Sequence, residues 1–313
     1  MALGCSPIET SSRNHRPIKY IIEIRSIIRK NKYEIVHVHG NSATMAVDLL
    51  GAYLGGVKNR IAHSHNSMCK HVIVDKLLRP LFTHLFTGAI ACGNEAARWL
   101  FPGKNVLIVP VGINLELFKY KTPSRERIRK LLGISDETFV VGHIGSFNRV
   151  KNQSFILNVF DILYRTIPNS LLTLIGSGEL FDYVLEQTKT LDCRNHIRFL
   201  GPLDHLSIPE YLCAMDVVIF PSLYEGFPVT VMECLASGLS ILLSENITHE
   251  FLFANAVNYL SLDLPGDVWA YTLLEMKNYN RAQQCAESQN ILKKMKYDVI
   301  DSVRVLEEFY SSL

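Results

Sequence analysis

The sequence predicts an α/β fold of parallel, doubly wound sheets arranged in two domains. Short apolar strands alternate with helices along nearly the whole chain, joined by short Gly-bearing turns. The stretch 216–243 states the pattern in full. Val217 to Phe220 is the apolar run of a strand buried on both faces, and Pro221 ends it. Pro228 suits the first position of a helix, Gly238 closes that helix, and Leu239 opens the next strand. A length of 313 residues, 48% of them hydrophobic and 20% charged, is enough for two domains of ordinary size.

Taken in order, residues 18–32 have helical periodicity. Ile21, Ile22, Ile24, Ile27 and Ile28 lie on or near one face, and Arg25, Arg29, Lys30 and Lys32 form the polar side. A helix packed on a sheet is the ordinary reading; its basic end also suits an anionic membrane surface. Residues 34–40 read as a strand, 42–54 as a helix and 59–65 as the next strand. Both strands end in H-x-H, as His37/His39 and His63/His65, at the carboxyl ends where α/β sheets carry their sites. H-x-H can hold a metal, but no carboxylate partner pattern accompanies it, so no metal site is expected. Residues 77–85 and 94–100 read as helices, 88–93 and 106–112 as strands. A charged helix over 124–132 follows.

The second half repeats strand and helix: strands over 139–144, 171–175 and 196–200, helices over 153–166, 179–191 and 208–215, and then the 216–243 unit. Three terminal helices are expected over 264–278, 281–294 and 297–311.

Composition narrows the class. No run of about 18 apolar residues indicates a spanning helix, and the N-terminus lacks the basic start and apolar core of a signal peptide. Seven cysteines, an odd number without C-x-x-C, read as reduced thiols of a cytoplasmic protein. Net charge is +2, but residues 1–104 hold 14 Lys+Arg against 6 Asp+Glu, while 105–313 hold 18 against 24. The basic half could face anionic lipid or a diphosphate-bearing acceptor, or be a solvated face. No aromatic-interleaved basic stripe points to nucleic acid.

Chemistry gathers in the 216–243 unit. Glu225 lies in the loop and Glu233 in the helix, with seven residues between them. Gly226 lets backbone approach a ligand closely, and a glycine-bearing loop that opens into a helix after a parallel strand is a ready anion site. A carboxylate on that helix can accept two sugar hydroxyls. Together these features suggest a nucleotide sugar: phosphates on the helix N-terminus, ribose on Glu233, hexose near Glu225.

The run S-x-x-E-G-F-P-V-x-x-x-E-x-x-A-x-G-L, from Ser222 to Leu239, resembles the E-x7-E signature of retaining family 4 glycosyltransferases. The resemblance implies the GT-B fold: two Rossmann-like domains facing a cleft, here over 1–118 and 119–313, with the last helix (about 297–311) crossing back to the first. The V-P-x-G-I-N turn leaves the first domain in that family, and the boundary is expected near 118–122.

The resemblance also implies site roles. Glu225 would hold the hexose, helped by backbone N–H groups of Gly226 and Phe227, whereas Pro228 has no N–H to give. Residues 145–152 resemble the family's G-R-x-x-x-x-K-[NG] loop, whose basic groups neutralise the donor diphosphate. Gly145 and Lys151 match; Ser146 stands at the Arg position, and Arg149 is the candidate replacement. Gly176 and Gly178 resemble the G-x-G turn beneath the nucleotide. His65, with His39, falls in the region that meets acceptor and transferred sugar. No Asp-x-Asp occurs, which fits transfer without a metal and with no cofactor beyond the nucleotide sugar.

The stretch from Ser237 to Glu250 resembles bacterial exopolysaccharide and capsular-polysaccharide transferases. It implies transfer of a hexose or acylamino hexose, UDP-linked in the donor, to a lipid-linked saccharide at the inner face of the membrane. Family members begin with a strand and a Gly-rich loop that are not recognised here, so a shortened first domain is expected. That shortening, together with Ser146, supports an alternative: a non-catalytic, nucleotide-sugar-binding partner of another transferase.

Overall fold

The computed structural model describes residues 7–66, 69, 71–225, 227–252, 254–277 and 280–313. The chain forms two compact units, Met1–Val111 with Ser302–Leu313, and Gly112–Asp301. The division falls inside the V-P-V-G-I-N turn, ahead of 118–122, because Ile113, Leu115 and Phe118 are all buried in the core of the second unit.

In the first unit four parallel strands stand in chain order: β1 (Ile35–Gly40), β2 (Asn59–Ser64), β3 (Gly88–Ala91) and β4 (Leu107–Ile108). Helices α1 (Pro17–Asn31), α2 (Ala46–Gly55), α3 (Val72–Leu85) and α4 (Asn94–Leu100) accompany them. α1 rests on α2 through a notch. A side chain at Gly51 or Gly55 would come within 2.8 Å of Ile24 or Ile28 Cγ2, so only glycine lets the two helices approach this closely. The expected strand over 106–112 shrinks to two residues. The expected helix over 77–85 begins five residues earlier, where exposed Val72, Ile73 and Val74 hid its start and buried Asp75 pairs with Arg79. The last helix, α12 (Val299–Ser311), gives this unit Val305, Leu306, Phe309 and Tyr310, which pack on Ile61, Ile90 and Val109.

The second unit holds six parallel strands in the order β10-β9-β8-β5-β6-β7. They are β5 (Phe139–Ile144), β6 (Ser170–Ile175), β7 (Ile197–Gly201), β8 (Val217–Phe220), β9 (Ser240–Ser244) and β10 (Val257–Leu260), the last not expected from the sequence. Helices α5 (Thr122–Leu132), α6 (Gln153–Thr166), α7 (Phe181–Thr188), α8 (Ile208–Ala214), α9 (Val229–Ala236), α10 (Gly266–Glu275) and α11 (Arg281–Lys294) link and cover the strands.

Both faces of the second sheet are buried, which explains the unbroken apolar runs. Val140, Val218, Phe220, Ile241 and Leu243 enter one core, and Phe139, Val141, Val217, Ile219 and Leu242 the other. Trp269 fills the second core and donates its indole N–H to Ser261 O at 3.1 Å. Strand order reverses between β5 and β8, and it is at the carboxyl ends of such a switch point that open α/β sheets keep their ligand crevice. Among the described residues, no helix is long and apolar enough to cross a membrane.

Candidate active site

The crevice is built by two loops tied together. After β5, residues 145–152 turn tightly: Asn148 Oδ1 accepts the N–H groups of Val150 and Lys151 at 3.0 and 3.1 Å, and Asn152 takes a left-handed φ of 56°. After β8, Leu223 N–H donates to Val150 O at 2.8 Å, and Asn152 Nδ2 donates to Pro221 O at 3.2 Å.

This stitching brings Lys151 to Glu225. Lys151 Nζ lies 2.7 Å from Glu225 Oε2, both side chains being mostly buried. Ser222, fully buried, donates its hydroxyl to the other carboxylate oxygen, and Ser244 in turn donates to Ser222 O. Glu225 also pairs through its backbone with the loop after β9. Both oxygens of Glu225 are therefore fixed, which orients a carboxylate far better than loop placement alone. Sequence reasoning gave Ser222 no role; its place three residues before Glu225 was the available signal.

Glu233 projects from α9 and is only 6% exposed. Its Oε1 lies 2.8 Å from Nε2 of His205, whose side chain is 60% exposed. Burial raises the Glu233 carboxyl above its ordinary range, and the His205 contact opposes this. His205 was not anticipated, because it comes from the loop after β7 and nothing in its spacing links it to α9. No side chain caps α9, and Pro228 precedes its first turn, so the leading N–H groups are available to an anion.

Gly176 and Gly178 serve the site through packing. A Cβ at Gly176, where φ is 136°, would lie 2.1 Å from Gly145 O, and one at Gly178 2.4 Å from Phe147 O. The two glycines let the turn after β6 press against the Gly145 loop and hold it by the Phe147 N–H to Ser177 O bond at 2.9 Å. Beneath the crevice, His143 is wholly buried; burial lowers its pKa to about 4, so it stays neutral and bonds Ile219 O at 2.9 Å.

Ser146 and Arg149 are exposed on the same loop. The Phe227 ring turns into the core against Phe251 and Tyr297. Gly226 lies outside the described residues. His39 and His65 belong to the first unit, where His39 Nδ1 and His65 Nε2 are 2.8 Å apart.

A parallel sheet in the order found here, with a glycine-bearing loop, a lysine–glutamate pair and a second glutamate at its switch point, has the form of a domain of the GT-B class. Comparison with solved structures agrees on the fold. The crystal structure of Anabaena Alr3699/HepE in complex with UDP matches with a TM-score of 0.76 at 18% identity, covering 94% of this chain and 82% of that one. Residues 124–262 match the family model described as "Glycosyl transferases group 1". EpsF of Bacillus subtilis (strain 168), named as a glycosyltransferase, is 31% identical over 308 residues, 94% of this chain and 79% of that protein. The UDP-Gal:alpha-D-GlcNAc-diphosphoundecaprenol alpha-1,3-galactosyltransferase of Escherichia coli is 26% identical over 264 residues, 80% of this chain and 67% of that protein. The chain belongs to the group 1 glycosyl transferases.

Proposed function

We propose that this protein moves a hexose or acylamino hexose from a UDP-linked donor to a lipid-linked saccharide, with retention at the anomeric carbon, in surface-polysaccharide synthesis at the inner face of the membrane. The observation that carries the reading is the Lys151–Glu225 pair at the switch point, with buried Glu233 one helix turn beyond the uncapped start of α9.

In this reading Lys151 and the α9 N-terminus neutralise the donor diphosphate, so its bond to the sugar breaks with the developing charge already matched. The transfer then needs no metal and no further cofactor. Glu225, oriented by Ser222, takes the hexose hydroxyls. Glu233 takes the ribose hydroxyls once the exposed His205 swings away. Gly145, Gly176 and Gly178 keep the floor low enough for the nucleotide, Gly226 and Phe227 offer backbone N–H groups, and Arg149 adds charge beside Ser146. His65, with His39, is assigned to the acceptor. A similar structure that holds UDP and a similar diphosphoundecaprenol-directed galactosyltransferase support the donor and acceptor class. Apolar side chains left in water on α3, Ile73 at 77% and Leu77 at 74% exposure, support contact with a lipid surface.

The test is a panel of UDP- and GDP-sugars incubated with purified protein and a bacterial membrane extract, following nucleotide release. Release that depends on both sugar donor and extract supports transfer. Exposed Ser146, at the family's Arg position, motivates the second reading, a donor-binding partner subunit. Donor binding without release from any sugar would favour it.

A further inference from the structure

Four imidazoles gather on one face of the first sheet. β1 and β2 run parallel with His39 opposite His63, and the two-residue period of a strand puts His37 and His65 on the same face. Ring centroids are 4.2 Å apart along each strand and 5.0 Å between His39 and His63. His37 Nε2 lies 3.2 Å from His63 Nδ1. One ring nitrogen from each of His37, His39 and His63 falls within 4.8 Å of the other two.

The cluster leaves a polar atom unpaired. His63 is 5% exposed, and its Nε2 has no hydrogen-bond partner. His63 Nδ1 faces His37 Nε2, and His37 Nδ1 in turn faces Tyr310 Oη. A cation can take the lone pairs of ring nitrogens that face one another, as His37 Nε2 and His63 Nδ1 do. The spacing suits one. Bonds of about 2.0–2.1 Å from zinc to imidazole place tetrahedral ligand nitrogens about 3.3 Å apart, close to the 3.2 Å between His37 and His63. His39 is exposed, and with its Nδ1 2.8 Å from His65 Nε2, its Nε2 is the nitrogen left to close the set.

We propose that His37, His39 and His63 bind one divalent late transition-metal ion of the zinc class at the carboxyl ends of β1 and β2. An all-imidazole set suits zinc, nickel, copper or cobalt and disfavours magnesium and calcium, which want oxygen. Imidazole binds such an ion through the lone pair of its neutral form. Tyr310 Oη, against His37 Nδ1, fixes that ring with Nε2 directed to the ion. The fourth position falls to His65 or to water. The H-x-H spacing alone argued against metal for want of a carboxylate. The strand register supplies instead a nitrogen set that needs none.

The test uses the tag-free full chain, stripped with chelator and titrated with Co²⁺. The expected result is one Co²⁺ per chain, with the visible bands of tetrahedral cobalt, displaced by one equivalent of Zn²⁺. His63→Ala and His39→Ala should each weaken binding about tenfold or more. Circular dichroism monitors folding, and if His63→Ala unfolds, His39→Ala decides, since that side chain is exposed. No Co²⁺ uptake, or uptake by His39→Ala with parent affinity, overturns the proposal. The readout is metal binding, so the outcome is independent of whether the donor-site reading holds.

Discussion

At the carboxyl ends of β5 and β8, Lys151 and Glu225 hold each other, while at the carboxyl ends of β1 and β2 four neutral rings face one another without a counter-charge. Both places lie at the strand ends where α/β sheets keep their chemistry. In the second unit, charge is present before any ligand arrives and is stored as an internal ion pair. In the proposed reading, a charged donor would exchange with that pair. In the first unit, burial suppresses charge, and the site offers lone pairs in place of a field. Two sheets of similar construction thus present opposite chemistries, because one set of side chains comes from loops and the other from the strand ends themselves.

The largest effect that sharpens this contrast is expected from Lys151. Lys151→Ala should lower turnover roughly a hundredfold or more, the loss typical of deleting one group aimed at developing charge. Steady-state nucleotide release measures it, and activity within a few fold of the parent would break the reading of the pair as catalytic. Glu225→Ala should likewise lower kcat more than it raises the donor KM.

Next comes the packing that supports the pair. Gly176→Ala sets a Cβ against Gly145 O in a left-handed backbone, at a cost of about 3 kcal/mol. Urea unfolding should show the midpoint falling. An unchanged midpoint would mean that the Gly145 loop yields easily and does not position Lys151.

His143 contributes a pH-dependent part. Its pKa is lowered by burial from 6.5 to about 4, so between those values the unfolded chain takes up a proton that the native one refuses. This stability is whole above pH 6.5 and is lost as pH falls toward 4, amounting to a few kcal/mol at most. His143→Gln should narrow the gap between unfolding midpoints at pH 7 and pH 4.5. An unchanged gap would show that His143 is not held neutral.

Smaller effects follow from Glu233 and its exposed partner. Glu233→Ala should raise the donor KM by about tenfold with a lesser change in kcat, the mark of lost ground-state binding. His205→Ala should change it by less than about threefold, because pairs with one mostly exposed member contribute little. Equal effects of the two variants would make His205 a fixed part of the site.

Much of the fold was legible because burial on both faces of the second sheet writes apolar runs that no other element explains. Proline and glycine marked the ends of β8 and α9 correctly. What failed was edge and exposure: β4 shortened to Leu107–Ile108, β10 passed unnoticed, and exposed apolar residues masked the start of α3. At the site, spacing identified Glu225, Glu233 and Lys151 as candidates. The contacts of Ser222 and His205 arise from loops distant in sequence or from a turn whose geometry spacing does not encode. Likewise the two H-x-H pairs were visible, but only the parallel register could join four rings into one cluster.

The bonds from Leu223 to Val150 and from Asn152 to Pro221 carry a kinetic consequence. Two segments some seventy residues apart in the chain cannot open one at a time without breaking these links. Their amides should exchange with deuterium at a common rate, as one cooperative patch. A substitution that frees either loop should therefore speed exchange in the other as well.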